Sequence, residues 1–203
     1  MNNQEHIESI ISETFRVIQE VYDYQKETDE GAGISSRQSR IIFPVKRDGE
    51  VRISEQELKF VFVEQLNLEI KKGWDVFYSV ETPTKDTYRF SNVDMPKSDS
   101  TGLSANFDLV IHDRNFKRIA LIEFKANNPS KYGYQKDFVK LNNSKEYGDG
   151  VLRYFIEIVK SANHGTIRSL CDKIKGSESL FRCYSLTDGE ITSEIQSLSE
   201  NRQ

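Results

Sequence analysis

The stretch that decides the fold is residues 104–126: Ser-Ala-Asn-Phe-Asp-Leu-Val-Ile-His-Asp, then Arg-Asn-Phe-Lys, then Arg-Ile-Ala-Leu-Ile-Glu-Phe-Lys-Ala. Two apolar runs flank a short polar tip, the pattern of a β-hairpin. The polar exceptions inside the runs are Asp108 in the first, and Glu123 and Lys125 in the second. Successive side chains of a strand point to opposite faces. With the turn centred between Asn115 and Phe116, Asp113 opposes Arg118 and Asp108 opposes Glu123. One face then carries Phe107, Leu109, Ile111, Ala120, Ile122 and Phe124. The other carries Val110 and Leu121, with Asp108, Glu123 and Lys125 clustered at one end. Directly opposed residues have Cβ atoms roughly 5 Å apart, and like charges there destabilise the pair. Two carboxylates so close on a half-buried sheet need a proton or a cation between them, and a divalent ion with oxygen ligands meets that need. Lys125, two residues beyond Glu123, reaches the same spot. The competing reading is three solvated residues on the open face of an edge hairpin; their spacing inside runs this apolar argues against it.

The rest of the chain sets bounds. At 203 residues it is expected to form one domain, 1–203, with a sizeable core. No apolar stretch is long enough to span a bilayer, so no membrane partner is expected. The start, Met-Asn-Asn-Gln-Glu-His, lacks the basic and apolar regions of a secretory signal. Cys171 and Cys183 do not form a metal-type pair and read as buried, reduced thiols, so a cytoplasmic location is expected. The net charge of −4 excludes a protein coated in basic surface. Local charge differs: Arg114 to Lys140 holds seven Lys or Arg against two acids, and Arg37 to Arg47 holds four bases and no acid.

In chain order, residues 4–30 read as a packing helix, with Ile7, Ile10, Ile11, Phe15, Ile18 and Val21 at helical spacing. Gly31 to Arg40 is a polar loop whose Arg37 and Arg40 fit phosphate contacts and solvated loop charges equally well. Ile41 to Val45 reads as a short strand. Ser54 with Glu57 has the form of a capping box opening a helix that Gly73 stops. Glu64 lies in the most apolar part of that helix. Trp74 to Thr82 alternates as a strand, Tyr88 to Phe90 is a short continuation, and Ser91 to Leu103 is a loop. After the hairpin, Tyr134 to Leu141 reads as a helix with Lys136 and Lys140 on one face, which fits phosphate contacts or simply an exposed basic face. Val151 to Val159 is a buried central strand. Thr166 to Lys175 is a helix and Leu180 to Leu186 a strand. A turn at Asp188-Gly189 leads into Glu190 to Ile195, and the end is a frayed tail. The fold class is therefore α/β, a mixed sheet with helices on its faces (α+β in its antiparallel part).

A helix carrying a Glu, a strand carrying an Asp, Glu-x-Lys on the next strand, then a helix and a strand resembles the core of the PD-(D/E)xK nucleases. That superfamily includes type II restriction endonucleases and Holliday junction resolvases. The resemblance covers about residues 54–160, with the N-terminal helix as an addition and residues 161–195 as a C-terminal helix and strands. It implies a restriction-endonuclease-like core, helix-strand-strand-strand-helix-strand. Asp108 matches the motif's Asp, and Glu123-Phe124-Lys125 its (D/E)-x-K, although Phe107 stands where the family's proline would be. Glu64 matches the acid often found on the first core helix, with Glu81 as the alternative.

The resemblance implies a metal-dependent nuclease using Mg²⁺, with Mn²⁺ as a substitute. A bound divalent ion lowers the pKa of the attacking water and neutralises charge on the phosphate. Asp108, Glu123 and the backbone carbonyl of Phe124 would be its ligands, with Glu64 reaching it through a water. Lys125 would orient or help deprotonate the nucleophile and touch the scissile phosphate. Arg37, Arg40, Lys136 and Lys140 would contact the nucleic-acid backbone, DNA first, in restriction, defence or repair. A homodimer is expected by analogy, since cutting both strands of a duplex takes two sites. The alternative is a catalytically silent nucleic-acid-binding or assembly protein with a nuclease-like fold.

Overall fold

In a computed structural model, which describes residues 1–27, 39–90 and 96–200, one seven-stranded sheet runs through the molecule. The elements are α1 (Asn3–Glu27), α2 (Glu55–Lys71), β1 (Phe77–Arg89), β2 (Lys97–Ser98), β3 (Leu103–His112), β4 (Arg118–Ala126), α3 (Lys131–Leu141), β5 (Leu152–Val159), α4 (His164–Ile174), β6 (Leu180–Ser185), β7 (Gly189–Glu190) and α5 (Thr192–Glu200). The strand order is β2-β1-β3-β4-β5-β6-β7. β4-β5 and β5-β6 are parallel and the other neighbours antiparallel, so the α/β reading with a mixed sheet holds. Among the described residues, no helix is long and apolar enough to cross a membrane.

The sheet buries both faces. On one side α1 and α2 cover Leu109, Ile111, Ala120, Ile122 and Phe124. On the other, residues of α3, α4 and α5 cover Phe107, Val110, Leu121 and Phe155. The expected face of the first helix is buried as read, from Ile7 through Val21. Phe62 of α2 meets Phe124 of β4 edge-on, with ring centroids 5.3 Å apart. Phe124 is fully buried, which is worth about 2–3 kcal/mol and pins the end of β4 that carries Glu123 and Lys125.

Ser54 stands at the N-cap of α2 with an extended backbone, but its hydroxyl bonds the Glu57 carboxylate, and no side-chain bond caps the helix. Gly73, at φ +109°, ends the α2 region as expected, because that conformation costs glycine least.

Several readings change, and the loop expected over Ser91 to Leu103 contains the two-residue strand β2 paired with β1. The two strands expected around Pro83 are one strand, β1, bulged between Pro83 and Thr87. There the amides of Lys85 and Asp86 donate to the fully buried Glu146 carboxylate at 2.8 and 2.9 Å, so a side chain replaces the lost ladder bonds. The expected strand at Ile41–Val45 is only an isolated Val45–Val51 bridge. Glu190 to Ile195 and the following residues to 200 are mostly helix α5, because Ile191 and Ile195 pack under α4; residues 201–203 lie outside the described residues.

The hairpin keeps its inner register and shifts at its tip. Leu109 pairs with Ile122 and Val110 with Leu121, but His112, not Asp113, faces Arg118. Asp113 instead closes the tip, its carboxylate accepting from the amides of Asn115 at 2.8 Å and Lys117 at 2.9 Å. Phe116 takes φ +59°, and an irregularity between Ile111 and His112 absorbs the one-residue offset.

Candidate functional site

At the far end of the hairpin the β3–β4 ladder stops at Leu109–Ile122. Continuing that register puts Asp108 level with Glu123. The strands open there, and the Asp108 carboxylate takes the place of the missing backbone partner, accepting from the Phe124 amide at 2.8 Å. A residue's N–H and C=O point the same way across a strand, so the Phe124 carbonyl also faces the gap, where Lys125 Nζ donates to it at 3.3 Å. The β1–β3 ladder is interrupted at the same level, between Val80–Leu109 and Thr82–Phe107. Glu81, opposite Asp108, holds φ +48°, an uncommon conformation for a residue with a Cβ. The interruption explains why Phe107 lies in the α3 layer with Val110 and Leu121, not on the face of Leu109 as strict alternation requires.

Three lysines thread the carboxylates around this gap. Lys59 of α2 bridges Glu81 at 2.6 Å and Asp108 at 3.1 Å. Lys125 lies 2.7 Å from Asp137 and 3.3 Å from Glu55. Lys140 lies 2.5 Å from Glu123 and 3.0 Å from Asp137, and donates to the Asn106 carbonyl at 2.8 Å. Glu123 Oε1 and Asp137 Oδ2 are buried without a well-directed hydrogen bond. Their short lysine contacts are therefore charge contacts, aimed off the hydrogen-bond direction. Behind them, level with Lys125 on the parallel strand β5, the fully buried Glu157 accepts from the Tyr134 hydroxyl.

The electrostatics follow from burial. Burial and the neighbouring charge of Asp137 push the Glu123 carboxyl well above its ordinary pKa. Burial raises Glu157 to about 8, with the Tyr134 hydrogen bond acting the other way. Burial also raises Glu55, against the pull of Lys125. For Lys125, burial opposes the charged form, but the charges of Asp137 and Glu55 outweigh it and hold the ammonium above its usual pKa. Lys140 behaves likewise beside Glu123 and Asp137.

The sequence-derived candidates are distributed as follows. Asp108 and Lys125 meet at the Phe124 peptide, and Glu123 is joined to Lys125 through Lys140 and Asp137. Glu64 is exposed on α2 and, among the described residues, makes no ion pair with the cluster. The α2 acid that does is Glu55. Nine residues at about 100° each put Glu64 on the opposite side of the helix, roughly 13 Å further along it. Glu81 joins the cluster through Lys59. Lys140 is a buried member of the cluster, 5% exposed, and not a surface contact for phosphate. Its partner on that helix face, Lys136, is half-buried with its ammonium 4.9 Å from the Phe90 ring centre. Arg40 is exposed, and Arg37 lies outside the described residues.

Sequence reasoning missed Glu55, Lys59, Asp137, Tyr134 and Glu157. Helix spacing signalled two pairs: Glu55–Lys59 at i,i+4, and Asp137–Lys140 at i,i+3. Glu157, a lone acid inside an apolar run, is the same kind of exception that singled out Glu123.

Among the described residues, no three Asp, Glu, His or Cys side chains converge as a ready-made metal-binding group. Asp108 and the Phe124 carbonyl at the gap are oxygen donors of the kind a hard cation takes, with Glu123 the neighbouring carboxylate on β4. Comparison with protein-family models, curated proteins and solved structures found no match for the chain.

Proposed function

We propose that the protein is a Mg²⁺-dependent nuclease of the PD-(D/E)xK type, with Mn²⁺ as a substitute ion, hydrolysing phosphodiester bonds of DNA in restriction, defence or repair. The observation that carries this reading is the meeting of the Asp108 carboxylate and the Lys125 ammonium at the Phe124 peptide, at an open strand gap, with Glu123 the preceding residue of β4. Supporting it, α2, β1, β3, β4, α3 and β5 follow the helix-strand-strand-strand-helix-strand order of the restriction-endonuclease-like core, if the two-residue β2 is set aside.

In this reading Asp108, Glu123 and the Phe124 carbonyl hold the ion. When bound, it supplies charge neutralisation at the phosphate and a lowered pKa for the attacking water. Lys125 contacts the scissile phosphate and orients the nucleophile. Asp137 and Glu55 fix the Lys125 ammonium from two sides, which restricts it to one geometry. Lys59 and Lys140 offset the charges of Asp108 and Glu123 from opposite faces of the sheet. A homodimer would bring two such sites to the two strands of a duplex.

One observation favours a second reading. Asp108 and Glu123 already have lysine partners, as they would in a nuclease-like domain that binds nucleic acid without cutting it. The deciding experiment offers plasmid, single-stranded DNA, branched DNA and RNA with Mg²⁺ or Mn²⁺, beside an EDTA control and Lys125→Ala. Metal-dependent cleavage lost in Lys125→Ala, with calorimetric Mg²⁺ binding lost in Asp108→Ala, is expected. No cleavage and no divalent-ion binding would overturn the nuclease reading. Nucleic-acid binding that neither substitution alters would favour the silent domain.

A further inference from the structure

Lys140 is sequestered in the cluster, so the strand path that the sequence suggested along α3 is closed there. A different surface leads to the gap. A cavity of about 430 Å³ opens at the start of α2, lined by Arg52 to Gln56 and by Ala126 and Asn127. Glu55 belongs both to this cavity and to the ion pair with Lys125, so the cavity borders the cluster directly.

On its outer side, residues 40–53 form a compact loop. The Val45–Val51 bridge closes it, with the Arg52 amide donating to the Pro44 carbonyl at 2.7 Å and the Lys46 amide to the Glu50 carbonyl at 2.8 Å. Asn127 Nδ2 donates to the Ile53 carbonyl at 3.0 Å and ties the loop to the end of β4. The loop presents Arg40, Lys46, Arg47 and Arg52, all exposed. Among the described residues, none of the four makes a side-chain hydrogen bond or ion pair. Its acids are occupied: Asp48 accepts from the Glu50 amide at 3.1 Å, and Glu50 pairs with Lys160. A chain of net charge −4 thus concentrates free positive charge on one tethered loop beside the candidate site.

We propose that this loop is the track for the phosphodiester backbone of one nucleic-acid strand, with Arg47 and Arg52 contacting its phosphates and leading it over the cavity towards Lys125. The choice of a nucleic-acid strand as the partner rests on the nuclease reading. The loop position rests on the geometry alone. Lys and Arg that neutralise phosphates release condensed counterions, so each contact adds about 0.7–0.9 to the slope of log affinity against log salt.

The test is fluorescence anisotropy with labelled single-stranded and duplex oligonucleotides in EDTA, over a salt series, using the full chain. Arg47→Ala/Arg52→Ala is expected to weaken binding and to lower the slope by about 1.4–1.8. Lys97→Ala/Lys117→Ala removes the same charge elsewhere and is expected to leave the slope unchanged. A wild-type slope in the loop variant, an equal loss in the control, or no binding by the native chain would overturn the track. Cleavage with Mg²⁺ is scored separately. Cleavage with an unaltered slope overturns the track and leaves the nuclease reading standing. An altered slope without cleavage or divalent-ion binding does the reverse.

Discussion

Replacing Lys140 by Met separates the buried role of this residue from the surface role its helical spacing suggests. Its ammonium stands 2.5 Å from Glu123, 3.0 Å from Asp137 and 2.8 Å from the Asn106 carbonyl. Methionine fills most of the same volume, so the change removes charge and hydrogen bonds more than packing. Taking one partner from a buried ion pair costs about 3–5 kcal/mol, because the other charge stays buried and uncompensated. Two features place Lys140→Met at the lower end. Lys125 still holds Asp137 at 2.7 Å, and Glu123, already well above its ordinary pKa through burial and the Asp137 charge, takes up a proton. The expected loss is about 3 kcal/mol, a fall of roughly 6–12 °C in Tm for a chain this long. Urea unfolding followed by circular dichroism reads it directly. In Lys140→Met/Glu123→Gln no carboxylate is left unpaired at position 123, and at least half of the loss is expected to return. A solvent-facing lysine would cost less than about 0.5 kcal/mol. A loss that small, or a double variant no more stable than Lys140→Met, would refute the assignment of Lys140 to the buried cluster.

Two further outcomes follow from the same network. Burial raises Glu157 to about 8, above its unfolded value, so its contribution favours the folded state at low pH and is lost as pH rises towards 8. Comparing urea midpoints between about pH 5 and 8, Glu157→Gln is therefore expected to remove a destabilisation that grows with pH in the native chain; parallel pH profiles would count against it. Asp137→Asn keeps the side-chain shape but loosens Lys125, and on the proposed nuclease reading it is expected to lower kcat for cleavage roughly 10- to 100-fold with KM little changed. Partial recovery in Asp137→Glu is the accompanying sign, and a KM effect alone would assign Asp137 to binding.

Much of this architecture is local and was legible in the chain. The 3.6-residue spacing of Ile7 to Val21, the stop at Gly73 and the alternation in both arms of the hairpin each depend on neighbours in sequence. They set Asp108 level with Glu123, with Lys125 two residues further along β4. The inner hairpin register survived a wrong turn because burying Leu109, Ile111, Ala120 and Ile122 on one face fixes it, and a one-residue slip would expose them all.

What the sequence left undecided depends on which helices cover the ends of the strands. Glu64 and Glu55 are the same residue type on one helix, and only the packing of α2 shows that Glu55 meets Lys125. Lys140 looked like surface because a lysine in an amphipathic helix usually is. Its burial depends on Glu123 and Asp137 waiting beneath it. A buried charge is tolerable only where its partners already stand, and those partners come from β4 and α3, elements whose meeting no local pattern encodes.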